Sequence, residues 1–443
     1  MFFQFTSNRF TWTWVILALS KIITKSTLLQ VSASIAVESA YEESTSSTCP
    51  TYGCLKRPVD IIDRDNLMNL MSTINSLQEN EATLTLMGYK GKEEEINQDR
   101  SFLVSPFFAT VEDNTWNPKD QHLKLMGVFD GHGNLGEVVS EYAVTNLPAL
   151  FSTKLGSILS STTADEGNDE EQQQQQIKAA LHESFVEIDA TVPTKGVGGC
   201  TASVIFQHKQ QLYFANAGDS VSFLSLHHVP TNITSIMYQT REDKASIPEE
   251  KERVERMGGE VYLPPPSKPH ATSRVIFHDS ARNDAITGLA MSRSLGDWDA
   301  GKVGVIPDPI IDMLEMDQIL QQFLDSLKES SKDGECEVQA NTGECISIER
   351  DENISYQKED VIVFAVSATD GMMDYVMPQE ISDLVATSFA PSLLEKGEEE
   401  QLSKHLLNIC KTLIIEAATG WHYSKQGRYR DDIAISVSKI KLA

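Results

Sequence analysis

Short apolar runs of strand character recur from about residue 84 to the end of the chain, and amphipathic stretches lie between them. The runs combine β-branched, aromatic and aliphatic residues, which predicts buried strands in TLTLMGY, HLKLMGVF, CTASVIFQ, QLYFANAGD, DVIVFAVSA and DIAISVSKI. Apolar residues at helical spacing predict helices in GEVVSEYAVTNLPALF, IKAALHESFVEIDATV, IPEEKERVERMGG and residues 401–417. Because strands and helices do not alternate strictly, the pattern predicts an α+β fold in which sheets pack together and helices flank them.

The chain divides into a leader and one large domain with two insertions. Residues 1–56 form an N-terminal leader or linker, and residues 57–443 form the domain, which opens with helical spacing over residues 57–79. Residues 161–176 are acidic and glutamine-rich, and residues 325–358 are charged and polar. We expect both stretches to be insertions, and the first of them to be disordered.

The N-terminus leaves two readings of localisation open. Residues 12–36 contain the apolar run WTWVILAL, which is too short to span a bilayer comfortably, followed by small residues at Ala33 and Ala36 that suit signal-peptide cleavage. Glycosylation sequons at Asn232 and Asn353 fit a secretory fate. If the segment is only an N-terminal extension, we expect a cytosolic or nuclear protein, and membrane contact is expected only if the apolar run is retained.

Net charge and cysteine usage exclude some classes of function. The formal net charge is −27, and the phosphate backbone of nucleic acids repels so acidic a chain, so no nucleic-acid partner is expected. The six cysteines include no CxxC pair and no Cys/His cluster with zinc spacing. Cys200 and Cys410 lie in apolar segments and are expected to be buried. The other four form two pairs close in sequence, which would be disulfides only in an oxidising compartment.

Four of the apolar runs have an aspartate at one end, beside glycine or a second aspartate: Asp130, Asp219, Asp370 and the pair Asp431 and Asp432. A carboxylate at the mouth of a buried strand loses hydration, and several that converge repel each other unless cations lie between them. Oxygen-only ligands suit magnesium or manganese rather than zinc. Asp-Gly is also a common turn dipeptide, so each position taken alone is most simply a turn.

Further polar residues beside these aspartates favour a metal site over a set of plain turns. They are His132 in FDGHG, Asp374 in TDGMMD, Asn97 and Asp99 in INQDR, and Arg293 and Asp297 in MSRSLGD. Turn chemistry requires none of them. The sequence therefore predicts a metal site where the strand ends converge.

Seven segments of the chain, taken in order, resemble one known family. The segments are FDGHG, GGCTASV, FANAGDS, MSRSLGD, VIPDP, VSATDGMMD and RDDIAISV. With them, about residues 84–441 resemble the metal-dependent protein phosphatases of the PPM (type 2C) family. The resemblance implies a central β-sandwich of two mainly antiparallel sheets, flanked by α-helices on both sides.

The resemblance also implies a binuclear magnesium or manganese centre at one end of the sandwich. In such a centre Asp130 would bridge both ions and the carbonyl of Gly131 would bind the second ion. Asp370 and Asp431 would complete the ligands of the first ion. Two divalent ions in this arrangement lower the pKa of a bridging water, which makes hydroxide available to attack phosphorus.

Other residues take their expected roles from the same resemblance. His132 matches the general acid that gives a proton to the leaving alcohol. Asp219 and Asp374, together with Asp370, match a more weakly bound third ion. Asp99 is predicted to be a further metal ligand.

The first motif departs from the family pattern at the phosphate-binding position. The family carries a basic residue near position 94, but residues 93–95 are three glutamates in this chain. Lys90 or Lys92 can supply the missing positive charge, and both are predicted to bind substrate. Gln98 stands where many relatives have a glutamate, and a neutral amide should hold a metal less firmly than a carboxylate.

Two further residues are expected to be structural. Arg293 is expected to pair with a carboxylate such as Asp297. Asp432 is expected to serve as a turn or outer residue, because Asp431 aligns with the metal ligand.

The sequence therefore predicts a serine/threonine protein phosphatase that hydrolyses phosphoserine and phosphothreonine in phosphoprotein substrates, and we expect it to be a monomer. A second hypothesis is a catalytically weak or inactive member that binds phosphoproteins as a scaffold, and the three glutamates are its main support. A third is a metal-dependent hydrolase of small phosphoric esters, which the residues alone do not separate from a protein phosphatase.

Overall fold

A computed structural model describes the chain in nine stretches: residues 81–90, 96–109, 123–161, 169–268, 271–332, 336–338, 345–347, 356–389 and 399–442. The predicted leader, the predicted helix at residues 57–79, the three glutamates at residues 93–95 and Lys92 lie outside these stretches.

The first large sheet has five antiparallel strands, which are rich in β-branched and aromatic residues and mostly buried on both faces. In sheet order they are β1 (Glu81–Leu86), β17 (Ile433–Lys439), β16 (Val361–Ala368), β7 (Val221–His228) and β8 (Ile233–Gln239).

The second large sheet has seven antiparallel strands. In sheet order six of them are β12 (Leu295–Gly296), β4 (Gly199–Cys200), β3 (Lys124–His132), β5 (Ala202–His208), β6 (Gln211–Ala217) and β13 (Ile310–Glu315). The seventh, β2 (Asp99–Val104), pairs with β3.

The two large sheets pack face to face because side chains alternate along each strand. Met126, Ile205 and Phe214 point from the second sheet into the same apolar cluster as Leu224 and Val363 from the first. The opposite faces of both sheets are covered by helices.

Each helix layer follows the sequence pattern of apolar faces. The first sheet is covered by α6 (Asp370–Met373), α7 (Pro378–Ala386) and α8 (Glu399–Lys425). The second sheet is covered by α1 (Gly136–Ser161) and α2 (Asp169–Thr191), and α5 (Met316–Lys332) adds apolar side chains to the cluster between the sheets. This layering confirms the predicted sandwich with helices on both sides.

A third sheet of three strands lies beside the sandwich, and we call it the outer sheet. Its order is β11 (Ala285–Leu289), β10 (Arg274–Asp279) and β9 (Glu260–Tyr262). It shares a small apolar cluster with α3 (Pro248–Arg256) and α4 (Trp298–Gly301). A separate pair of short strands consists of β14 (Cys336–Val338) and β15 (Cys345–Ser347).

The glutamine-rich segment differs from its prediction. Residues 169–176 were expected to be disordered, but they form the first turns of α2. Glutamine and glutamate are good helix formers, and Gln174 donates a hydrogen bond to Glu315 at 3.2 Å. The expected second insertion likewise begins inside α5, where Leu327 is buried.

No helix in the described part of the chain is both long enough and apolar enough to cross a membrane.

Candidate metal centre

Strand ends from both large sheets meet at one end of the sandwich. Asp99 opens β2, and the register of the ladder places it directly opposite Asp130 of β3. Asp370 begins α6 shortly after β16, and Asp431 lies just before β17. Asp219 occupies the turn between β6 and β7. The topology therefore gathers carboxylates that lie far apart in sequence.

These carboxylates are withdrawn from water and interact with one another. Asp99 and Asp219 are buried, whereas Asp130 and Asp370 are half-buried, with carboxyl groups within hydrogen-bonding range of each other. Burial raises the pKa of Asp99 and of Asp130 well above the usual range, and neighbouring aspartates raise both further. Burial and the charge of Asp219 raise the pKa of Asp370 to about 7. The cluster thus carries more negative charge than its surroundings stabilise.

Three carboxylate oxygens of the cluster lack a hydrogen-bond partner among the described residues: Asp99 Oδ1, Asp219 Oδ1 and Asp370 Oδ1. Buried polar atoms almost always have a partner, and carboxylate oxygens are the ligands that magnesium and manganese prefer. Within the described ranges, however, no three His, Cys, Asp or Glu side chains already have the mutual geometry of a metal-ligand set.

Two lysines supply positive charge at the edges of the cluster. Lys244 Nζ lies 2.6 Å from Asp219 Oδ2. Lys90 Nζ lies 3.1 Å from Asp431 and 3.4 Å from Asp432. Burial by itself lowers the pKa of Lys90, but Asp432 and Asp431 outweigh it and raise the pKa above its ordinary value. Asp219 likewise outweighs burial and raises the pKa of Lys244, so both ammonium groups are charged and bind carboxylates of the cluster.

Hydrogen bonds hold Asp99 and the neighbouring Asp432 in place. Thr369 Oγ1 donates to Asp99 Oδ2 at 2.7 Å and accepts from the amide of Ala434 at 2.9 Å. Asp432 accepts from the amides of Gly88 at 2.5 Å and Gln98 at 3.2 Å. Asp432 thus ties two loops together, in keeping with the outer role expected for it.

Glycine is required at position 131 because the backbone is crowded there. A Cβ atom on Gly131 would lie 2.5 Å from the carbonyl oxygen of Gln98 and 2.6 Å from that of Gly136. The side-chain amide of Gln98 donates to Glu137 at 2.9 Å and to the carbonyl of Gly133 at 3.1 Å. The side chain of Gln98 therefore stabilises the turn after β3 through these two hydrogen bonds, and as an amide it brings no negative charge to the cluster.

His132 ends β3 beside the cluster, and its partner is Asp297. Nε2 of His132 lies 2.6 Å from Asp297 Oδ2, which also accepts from Ser294 Oγ at 2.8 Å. Burial alone lowers the pKa of His132, but the charge and hydrogen bond of Asp297 reverse this effect and raise it. Asp297 therefore favours the protonated form of the imidazole.

Arg293 pairs with a carboxylate, as expected, but its partner is Glu250 and not the suggested Asp297. Arg293 Nη2 instead binds Glu250 Oε1 at 2.8 Å, because Asp297 sits in a left-handed turn (φ 52°) that directs its carboxylate to His132. Glu250 is fully buried and also binds Arg253 at 2.7 Å and Arg241 at 2.8 Å. Burial would raise the pKa of Glu250, but Arg293 and its other donors lower it to about 2.

The structure brings most of the predicted site residues to one end of the sandwich: Asp99, Asp130, Gly131, His132, Asp219, Asp370, Asp374 and Asp431. Lys90 lies beside them, whereas Lys92 falls outside the described residues. Sequence reasoning missed Lys244 and the role of Asp297. The position of Asp297 inside MSRSLGD was visible in the sequence, but its partner was not, since the two residues are 165 positions apart.

With this geometry in place, comparison with known proteins identifies the family. The sequence profile described as "Protein phosphatase 2C" matches residues 94–327, which is more than half of the chain. The chain therefore belongs to the protein phosphatase 2C family, the family that the motifs resemble. Membership of this family supports a serine/threonine phosphatase in general, and phosphatases of the family generally depend on magnesium or manganese.

Individual relatives are distant. The chain is 23% identical over 347 residues to "Probable protein phosphatase 2C 41" of Arabidopsis thaliana, covering 77% of this chain and 78% of the relative. It is 31% identical over 191 residues to "Probable protein phosphatase 2C 61" of the same plant, covering 42% of this chain and 52% of the relative.

The fold is similar to that of a solved structure, the serine-threonine phosphatase 2C from Toxoplasma gondii. The TM-score is 0.52 at 16% identity, covering 83% of this chain and 96% of that one. This likeness concerns the fold alone and confirms the predicted architecture.

Proposed function

We propose that the chain is a magnesium- or manganese-dependent phosphatase that acts on phosphoserine and phosphothreonine in proteins. One observation carries this proposal: carboxylates from the ends of several strands converge with raised pKa values and with oxygens that lack hydrogen-bond donors among the described residues. Such an arrangement costs folding stability, and perturbed carboxylates of this kind mark functional sites.

The donor set fits hard divalent cations. Asp130, the carbonyl of Gly131, Asp370 and Asp431 are proposed as the ligands of two ions. Asp219 and Asp374 are proposed for a weaker third ion, and Asp99 for a further contact. When bound, the ions would offset charge on the phosphoryl oxygens and make hydroxide available near neutral pH.

His132 is proposed to hold the proton that the departing serine or threonine oxygen needs. Asp297 accepts from Nε2 at 2.6 Å, which orients the ring and favours its protonated form. Ser294 donates to the same Asp297 oxygen at 2.8 Å and so fixes the carboxylate in turn. The chain thus keeps a proton donor beside the carboxylate cluster.

Lys90 is proposed to contact the substrate phosphate in place of the basic residue missing near position 94. Its ammonium group lies 3.1 Å from Asp431, at the edge of the proposed metal ligands, and its side chain is 34% exposed. A cation there can meet an incoming phosphate. Lys92 is proposed for the same role from the sequence alone.

Turnover of a phosphothreonine peptide tests this function. We expect hydrolysis with manganese, its loss on addition of a chelator, and its loss in Asp130→Asn. Asp383→Asn is the matched control, because Asp383 is exposed on α7 and accepts a hydrogen bond from Gln379 of the same helix. Calorimetric titration with manganese provides a second readout, in which Asp130→Asn should bind more weakly. Turnover that is equal with and without metal would overturn the proposal.

A second candidate function is a phosphoprotein-binding scaffold with little or no turnover. It is favoured by the two ion pairs of Lys244 with Asp219 and of Lys90 with Asp431, which already neutralise part of the cluster. A protein that binds the phosphothreonine peptide but hydrolyses none of it over a range of manganese concentrations would support this alternative. Release of phosphate under the same conditions would exclude it.

A further inference from the structure

A cavity of about 280 Å³ adjoins His132 on the side facing the outer sheet. Its lining includes His132, Asn134, Arg274, Phe277, Arg282 and Asp297. Pockets for whole cofactors usually measure about 300–1,000 Å³, so this one suits a single side chain rather than a large ligand. It opens directly beside the proposed proton donor.

The walls of the cavity are held in place by contacts between the outer sheet and the segment after Asp297. The amide of Ser280, at the tip of the β10–β11 hairpin, donates to Asp299 Oδ2 at 2.8 Å. The amide of Trp298 donates to the carbonyl of Gly196 at 3.2 Å. A Cβ atom on Gly196 would collide with Trp298, so glycine is needed at this position for the two segments of the wall to pack against each other.

The carboxylates that line the cavity are already engaged. Asp297 binds His132, and Asp299 binds Lys302 at 2.6 Å. Asp279 accepts from the amide of Ala281 at 2.9 Å and pairs with Arg282 at 3.3 Å. Each of these three acids therefore has a partner other than Arg274.

Arg274 is the cation that remains. It begins β10, where its main chain pairs with Tyr262 of β9, and its exposed guanidinium makes no hydrogen bond or ion pair with any residue in the described part of the chain. Arg282 adds a second guanidinium that is half exposed. A guanidinium without a carboxylate partner, beside an open pocket, is a binding group for an anion, which it can hold through two parallel hydrogen bonds.

We propose that this cavity is a specificity subsite for a second anionic group of the substrate, with Arg274 as its main ligand and Arg282 as a weaker one. The inference rests on the proposed function. Because His132 would protonate the oxygen of the phosphorylated residue, the substrate main chain must pass His132, and a neighbouring side chain can reach the cavity. The subsite thus selects phosphoserine or phosphothreonine flanked by a carboxylate or a second phosphate.

Peptides that differ at one flanking position test the subsite. Three phosphothreonine peptides would carry alanine, glutamate or phosphoserine beside the phosphothreonine, on either side in turn. A charge-assisted pair suggests a preference of roughly tenfold in kcat/KM for the anionic peptides over the alanine peptide. Equal gains for glutamate and phosphoserine indicate recognition of charge alone, and a larger gain for phosphoserine indicates a second phosphate.

Variants assign the preference to residues. Arg274→Gln should remove roughly tenfold in kcat/KM on the anionic peptides and leave the alanine peptide unchanged, and Arg282→Gln should have a smaller effect. Arg256→Gln is the matched control, because Arg256 is exposed on α3 and does not line the cavity. An equal loss on all three peptides, or no loss on any, would overturn the subsite.

The outcome can be separated from failure of the proposed function. Turnover of the alanine peptide reports the centre itself, and its absence in wild type would count against the phosphatase and not against the subsite. In that event, fluorescence anisotropy of the labelled peptides still measures the binding preference. Arg274→Gln binding all three peptides as tightly as wild type does would overturn the subsite even without turnover.

Discussion

Two groups of acidic side chains in this chain lie in opposite electrostatic environments. Glu250 is fully buried, yet Arg241, Arg253 and Arg293 surround it and its pKa falls to about 2. Asp99, Asp130 and Asp370 of the strand-end cluster are buried or half-buried with other aspartates as neighbours, and burial together with repulsion from those neighbours raises their pKa values.

This difference distinguishes the structural role of the Glu250 network from the functional role proposed for the aspartate cluster. The Glu250 network is closed, since each carboxylate oxygen has cationic donors, and it joins α3 to the segment carrying Arg293. The aspartate cluster is open, since Oδ1 of Asp99, Asp219 and Asp370 has no hydrogen-bond partner among the described residues, and we expect it to lower the stability of the fold when no divalent cation is bound. We therefore expect substitution to damage folding in the first group and activity in the second.

The largest expected effect is on turnover. Asp370→Asn should lower manganese-dependent turnover of a phosphothreonine peptide by a factor on the order of 10³, because a charged ligand of the proposed centre becomes neutral. Glu250→Gln, assayed on its folded fraction, should keep turnover within a few-fold of wild type. An equal loss of activity in the two variants, with both still folded, would contradict the assignment of different roles to Asp370 and Glu250.

The next effect is on stability. Glu250→Gln should lower the free energy of unfolding by about 3 kcal/mol, since three arginines lose the one buried charge that they share. Urea denaturation followed by circular dichroism measures it. The neighbouring Glu249→Gln is the control, because Glu249 is exposed, and its loss should stay below about 1 kcal/mol. Similar values for both variants would contradict the assignment of Glu250 as a network centre.

His208 is a third case, in which burial disfavours the charged form of a titratable side chain. Burial, with a smaller contribution from Lys209, lowers the pKa of His208 to about 4. In the unfolded chain His208 takes up a proton as the pH falls below about 6.5, whereas the folded chain does so only near pH 4. Stability should therefore fall by about 2–3 kcal/mol over this window and be fully retained above it.

Substitution of the histidine tests that window. In His208→Leu this acid-dependent loss should vanish, so the stability of the variant relative to wild type should improve as the pH falls from 7 to 4.5. Urea denaturation at a series of pH values measures the difference between the two proteins. A difference that does not change with pH would show that His208 does not titrate in this range.

The smallest effect has the opposite sign to that of Glu250→Gln. In the presence of a chelator, Asp370→Asn should raise the free energy of unfolding by about 1 kcal/mol, because one of several mutually repelling charges is removed. Asp383→Asn on the surface should change stability by less than about 0.5 kcal/mol. A clear loss of stability in Asp370→Asn without metal would mean that the cluster is closed by contacts of its own.

Much of the fold followed from local pattern. The apolar runs predicted strands in CTASVIFQ and QLYFANAGD and a helix after DGHG, and the structure has strands at Ala202–His208 and Gln211–Ala217 and a helix at Gly136–Ser161. Glutamine-rich composition was misleading at residues 169–176, because helix propensity and contacts with the second sheet outweigh low hydrophobicity there.

The sequence by itself predicted an α+β fold and the acidic and histidine residues at the strand ends, and the resemblance of its motifs implied the family and the sandwich, because motifs and the two-residue period of strands are local properties of a chain. Only the tertiary structure decided the partners. It paired His132 with Asp297 rather than Arg293 with Asp297, buried Glu250 among three arginines, and left Arg274 facing a cavity. These outcomes depend on which strand ends and loops meet in space, and on desolvation at those meeting points, which no local pattern encodes.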